Sequence, residues 1–290
     1  MAINSKEFAD QLVDYAEDVK ENPEKYRGWS SGIPEFDRLV GGILKRKFYV
    51  YGGPQKGGKS ASMTSLAVAL NKQKVTTLVV SLEMDNLEMA MRVFANVTSV
   101  DMTKFRDVKI TDRDIVELKH SAENISLWPG FWDYGTSDLK DIEKLAQETK
   151  CEVLIIDYFQ LLESKGSDRR QGLEEISRRL KRMTNPKDKP GITVIVPSQV
   201  NRESIRSNRM DANAFLGTGA LERDCDVAIM ISSVFDDEGE EVSNKKKLRV
   251  VASRVSGVGE VEVYFNGARS LIAGAIPEEE ANNNIAWWQK

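Results

Sequence analysis

Residues 52–60 read GGPQKGGKS and follow directly on the β-type run KFYVY at 47–51. This is the pattern G-x-x-x-x-G-K-[ST], anchored on Gly53, Gly58, Lys59 and Ser60, with Pro54, Gln55, Lys56 and Gly57 inside the loop and Ala61 just beyond it. The chemistry such a loop serves is phosphate binding. Glycines let backbone N–H groups turn inward, Lys59 supplies a cation for the β and γ phosphates, and the Ser60 hydroxyl suits Mg²⁺. The dipole and unpaired N–H groups of the following helix add to the anion site. A chance match is the dull alternative. The strand before the loop and the apolar positions after it (Ala61, Met63, Leu66, Ala67, Leu70) argue against it.

Three further residues stand where an apolar run ends in a polar side chain. Asp157 ends VLIID, as the Mg²⁺-coordinating partner of a phosphate loop does; otherwise it would be a turn cap. Glu83 ends VVSLE, where a carboxylate can polarise the water that attacks a γ-phosphate; otherwise it is a surface charge. Gln199 ends ITVIVPSQ, and a neutral amide there can sense the γ-phosphate without titrating.

A sheet must hold these residues in one place. From about residue 30 the chain alternates strand and helix signals. A helix near 60–73 follows the loop, and the β-branched run 75–83 follows that helix. Asp85 and Asn86 can cap a helix bearing Leu87, Met91 and Phe94, and ISLW is a short strand candidate. Asp138 can cap a helix with Leu139, Ile142 and Leu145. The buried run 152–157, a helix with Leu173, Ile176, Leu180 and Met183, and the strand 192–199 complete the alternation. DVAIMISS, KLRVVAS and EVEVYFNG then predict antiparallel hairpins. The expected fold is α/β, a mainly parallel sheet flanked by helices on both faces with antiparallel C-terminal strands. Its ligands belong at the carboxyl ends of the strands.

The bulk numbers fit a globular protein: 290 residues, 41% hydrophobic and 30% charged. A net charge of −4 argues against a uniformly basic DNA-coating protein but leaves room for a local basic channel. Cys151 and Cys225 adjoin predicted strands and read as buried thiols, and His120, the only histidine, reads as a helix-surface residue. The N-terminus lacks an apolar signal core and no run approaches membrane-spanning length, so a cytoplasmic protein with no membrane partner is expected. Phe8, Leu12, Tyr15 and Val19 form one stripe of a short helix, which either caps its own core or docks on a neighbouring subunit. The expected organisation is a linker or docking helix over 1–27, an ATPase domain over 28–275 and a polar acidic tail over 276–290 with a Trp287–Trp288 pair.

After the phosphate loop, SLEM (81–84), IDYFQL (156–161), SQVNRES (198–204) and GTGALERDCD (217–226) occur in order. With these motifs the chain resembles the ATPase domain of DnaB-type replicative helicases over roughly residues 28–270. The resemblance implies a RecA-like fold, ATP with Mg²⁺, a homo-oligomeric ring, expected to be a hexamer, and 5′–3′ movement along single-stranded DNA. It also implies Glu83 as catalytic base, Asp157 with Ser60 at the metal, Gln199 as sensor, and Arg254 in VVASRVSGVG as a finger reaching a neighbour's γ-phosphate. Primase, polymerase or a loader are the partners it suggests, and the architecture suggests a phage or mobile element.

Three departures stand out. Ala252 replaces the lysine usual two residues before the finger. Leu216 and Gly217 stand where an Arg-Glu or Arg-Gly pair often precedes the small-residue turn at Gly219, so the usual DNA-loop arginine is missing. About 27 residues precede the core, so a primase-recruiting N-terminal domain is not expected. Arg202, Arg206 and Arg209 after Gln199, and Lys165, Arg169 and Arg170 after Asp157, are the substitute DNA contacts, their alternative being solvated loops. Neither loop shows an aromatic stacking platform, so phosphate contacts should dominate. Two other functions fit the ATPase signature: a RecA-like recombinase or strand-annealing protein, and a regulatory ATPase acting as an assembly factor.

Overall fold

Every residue of Phe48–Gly53 is buried, as a strand covered on both faces requires. The computed structural model describes residues 4–163, 168–200 and 219–274. Its helices are α1 (Ser5–Glu21), α2 (Pro23–Tyr26), α3 (Pro34–Val40), α4 (Lys59–Lys72), α5 (Asn86–Val97), α6 (Met102–Arg106), α7 (Asp112–Ile125), α8 (Leu139–Glu148), α9 (Arg169–Thr184) and α10 (Ala220–Asp224). Its strands are β1 (Phe48–Gly53), β2 (Thr77–Ser81), β3 (Phe131–Tyr134), β4 (Val153–Asp157), β5 (Thr193–Gln199), β6 (Val227–Phe235), β7 (Glu241–Ser253), β8 (Gly259–Asn266) and β9 (Leu271–Ala273).

The described strands form one sheet in the order β3-β2-β4-β5-β1-β6-β7-β8-β9. Pairing is parallel from β3 through to β6 and antiparallel from β6 to β9. Side chains alternate across it. Phe48, Val50, Leu154 and Ile156 meet Leu139 and Ile142 of α8 and Leu173, Ile176 and Leu180 of α9. Tyr49, Tyr51, Ile155 and Ile195 share the opposite core with Leu66 and Leu70 of α4. Two dry layers therefore clamp the sheet, and its strand ends are where polar groups can gather.

Local signals set the helix starts. Asp85 accepts from the Glu88 N–H at 2.8 Å and Asp138 from the Lys140 N–H at 2.7 Å. One expectation fails: ISLW is not a strand. A capping box between Thr111 and Asp114 starts α7, which runs to Ile125, and the N–H groups of Ser126, Leu127 and Trp128 still bond back to Ala122, Asn124 and Ile125. The helical ladder takes the backbone groups that a strand would have offered. The strand is the next run, FWDY, paired with β2.

The N-terminal stripe does not cap this chain's own core. No residue of α1 is buried, with Phe8 70% and Leu12 67% exposed. Its C-terminal half is tied to α2, where Asp18 accepts from Lys25 and Tyr26 and the Tyr15 and Tyr26 rings meet edge-on at 5.0 Å. The tail with Trp287 and Trp288 lies outside the described residues. Cys151 and Cys225 are buried and unpaired, and His120 is exposed on α7, both as expected.

Candidate nucleotide site

β1 ends at Gly53, the loop turns, and α4 begins at Lys59 with Gly58 as its N-cap at φ 99°. The turn needs its glycines. A Cβ on Gly53 would lie 2.5 Å from Ile231 Cγ2, and one on Gly57 would lie 2.8 Å from Pro54 Cγ. Lys56 adopts φ 61°, and the Gly57 N–H donates to the Pro54 carbonyl at 3.1 Å. The loop is thus folded tightly on itself over a helix N-terminus, the arrangement that turns N–H groups toward an anion. The Lys59 ammonium donates to the carbonyls of Gly53 at 2.9 Å and Pro54 at 2.7 Å, which aims the charge into the mouth of the loop. Burial lowers its pKa, and the charges of Asp157 and Glu83 oppose that shift.

Sheet register brings the strand-end residues to this mouth. Gly53 pairs with Gln199, and Ser81 pairs with Asp157. Asp157 is 3% exposed, and burial pushes its carboxyl up to about 6; the hydrogen bond from Ser60 and the charges of Lys59 and Arg92 pull the other way. A buried carboxylate with a hydroxyl beside it presents two oxygens to a divalent ion, and the Lys59 and Arg92 charges help keep that carboxyl ionised. Among the described residues no cluster of three or more acidic, His or Cys side chains would hold a metal alone. Mg²⁺ fits on those terms: it takes one or two protein oxygens and completes its shell with phosphates and water. Asp157 and Ser60 are the residues that would hold it.

Glu83 lies two residues past β2 and is exposed, close enough for its charge to raise the pKa values of both Asp157 and Tyr158. It stands at the solvent side of the loop mouth, where a carboxylate can meet water. Gln199 is held through a residue that sequence reasoning missed. Its backbone N–H donates to Gln160 Oε1 at 3.3 Å, and Gln160 Nε2 donates to Ser198 Oγ at 2.8 Å. Arg169, at the start of α9, donates to the Gln160 carbonyl. Gln160 sits inside the IDYFQL motif, but a lone amide in a turn carries no signal until the partner strand is placed. Arg92, on α5, was missed for the same reason.

Arg254 does not join this cluster. Its backbone N–H donates to the Asp226 carbonyl at 2.9 Å, its guanidinium reaches the Arg223 carbonyl, and it is exposed. Of the expected DNA contacts, Arg170 pairs with Glu174 at 3.5 Å on α9, and Gly219 is exposed at the start of α10. Lys165, Arg202, Arg206, Arg209, Leu216 and Gly217 lie outside the described residues.

The strand order, the loop between β1 and α4, the acidic end of β4 and the carboxylate just past β2 define a RecA-like ATPase fold. Residues 28–272 match the DnaB-like helicase C-terminal domain, and the chain belongs to that family. It is 27% identical over 258 residues to a probable replicative DNA helicase of Trieres chinensis, covering 82% of this chain and 55% of that protein. It is 25% identical over 274 residues to the replicative DNA helicase DnaB of Geobacillus stearothermophilus, covering 90% of this chain and 60% of that one. The chain thus spans between 55% and 60% of the length of these two curated relatives. Among solved structures it resembles a DnaB-like replicative helicase described with its primase interactions (TM-score 0.80, 23% identity, 92% of this chain and 66% of that). It also resembles a KaiC-like protein of Pyrococcus horikoshii (TM-score 0.60, 15% identity, 86% and 98%).

Proposed function

We propose that the chain is the motor of a replicative-type DNA helicase, hydrolysing ATP between subunits of a homo-oligomeric ring, a hexamer, and moving 5′–3′ along single-stranded DNA. The observation that carries this reading is the division of the site. Lys59, Ser60, Asp157, Glu83 and Gln199 converge at one end of the sheet, while Arg254 stands at the other, out of reach of its own loop, as a finger for a neighbour's nucleotide would be. Lys59 and the loop amides hold the β and γ phosphates. Asp157 and Ser60 would hold Mg²⁺, which when bound would neutralise charge on the phosphate oxygens. Glu83 orients and polarises the attacking water, and the partner's arginine meets the charge that develops on the transferred group. Gln199 senses the γ-phosphate, and Gln160 passes its position to the start of α9.

Residues 1–27 are a docking segment in this reading. The exposed apolar stripe of α1 finds on an adjacent copy the burial it lacks on its own. The core extends over 28–275, with the tail over 276–290 left for a primase, polymerase or loader. No described helix is long and apolar enough to cross a membrane, in keeping with work in the cytoplasm. Arg202, Arg206, Arg209, Lys165, Arg169 and Arg170, with Gly219, line the DNA path. Imaging the particle with a slowly hydrolysed ATP analogue and single-stranded DNA tests the proposal. A closed ring on DNA is the expected result; an open filament favours a recombinase, and a DNA-indifferent monomer overturns both.

A further inference from the structure

Arg92 projects from α5, the helix that begins three residues after Glu83. Its Nη2 donates to Glu88 at 3.1 Å and its Nη1 to Ser270 Oγ at 3.3 Å. Its Nε–H is buried and has no hydrogen-bond partner among the described residues. The side chain lines a cavity of about 20 Å³ whose wall also includes Ser60, Ser81 and Asp157. That volume holds one water, and a water there has the two to four polar neighbours it needs. Ser81 Oγ already accepts from the Met84 N–H at 2.9 Å, so its own proton is available to point inward. The Arg92 side chain is 24% exposed, but its Nε–H is not, and a buried N–H left without a bond costs free energy.

The far side of Arg92 is equally constrained. Ser270 is fully buried at φ 44°, and its carbonyl accepts from Asn96 at 2.8 Å and Ser65 at 3.2 Å. Arg92 thus bonds to a residue that α4 and α5 hold in place just before β9, and swinging away would break its bonds to Ser270 and Glu88.

We propose that Arg92 is a positioning residue for the metal half of the site: its Nε–H, through one buried water, fixes the Asp157 carboxylate, while its two Nη contacts anchor it to Glu88 of α5 and to Ser270 just before β9. The inference rests on the reading of Asp157 and Ser60 as magnesium ligands.

The test is Mn²⁺ binding, followed by electron paramagnetic resonance in the presence of a non-hydrolysable ATP analogue, with metal-free binding of a fluorescent nucleotide and thermal melting measured alongside. Arg92→Met should weaken Mn²⁺ about tenfold while metal-free nucleotide binding stays within twofold. Arg92→Lys keeps an N–H donor able to reach the water but not the Nε geometry, and should recover part of the loss, leaving a deficit of about threefold. Should the Met variant fail to fold, the Lys variant decides alone. Mn²⁺ affinity at the wild-type value in a folded variant overturns the role of Arg92. Asp157→Asn separates this outcome from failure of the underlying reading. If that variant also binds Mn²⁺ normally, the metal site itself is misassigned; if it loses Mn²⁺ and the Arg92 variants do not, only the positioning role falls.

Discussion

Arg254 and Lys59 stand at opposite ends of the same sheet. The Arg254 N–H bonds to the Asp226 carbonyl, and Asp226 in turn accepts from the Phe48 N–H at 2.8 Å, at the start of β1. Lys59 follows the far end of that strand, whose six residues span roughly 17 Å. An arginine side chain cannot close that gap around a packed sheet, so one copy supplies at most one half of a finger-assisted site.

Arg254→Ala should lower DNA-stimulated ATP turnover by about three orders of magnitude while leaving nucleotide binding intact. Mixing Arg254→Ala with Lys59→Ala protein should restore turnover at about a quarter of the interfaces, since a head-to-tail contact can then join two intact halves. Steady-state ATPase assays of each variant and of the mixture check this; a mixture no more active than its components removes the shared site.

The buried carboxyl of Asp157 makes stability depend on pH in a defined direction. Its folded-state value of about 6 exceeds the ordinary 3.8, so the folded chain holds this proton more tightly than the unfolded one. The stabilisation is full below about pH 4 and is lost as pH rises through about 6. Without nucleotide or metal, Asp157→Asn should therefore gain stability over the natural chain across that window, levelling off at about 3 kcal/mol. Urea melts at several pH values in chelator measure it, and a difference that is flat with pH contradicts the assignment.

Replacing Phe8 and Leu12 by Ser should leave melting within about 0.5 kcal/mol of the natural chain, because surface changes that touch no packing cost little. The same double change should lower the assembled mass seen by light scattering if α1 docks between copies. Unchanged assembly, or a large loss of melting temperature, assigns the stripe another role.

Reversing Arg202, Arg206 and Arg209 to Glu should weaken single-strand binding and flatten its dependence on salt, by about 0.7 in log–log slope for each phosphate no longer neutralised. Fluorescence anisotropy across a salt series reads both; an unchanged slope takes this loop out of the DNA path.

The sequence by itself determined the nucleotide chemistry, since a phosphate loop and a strand-end carboxylate are local patterns: glycine spacing sets the turn, and an apolar run that ends in Asp157 or Glu83 sets a charge at a strand tip. It also determined the alternation of strands and helices, because burial on two faces demands continuous apolar runs. ISLW was misleading because a four-residue apolar run suits a strand and the end of a helix equally, and the capping box upstream decided for the helix. Only the tertiary structure placed Gln160 against Ser198 and Gln199, or Arg92 between Asp157 and Ser270, contacts that span 38 and 178 residues of chain in two of their bonds. It also put Arg254 at the end of the sheet away from Lys59, because strand direction and order, which no local pattern encodes, decide which strand ends meet.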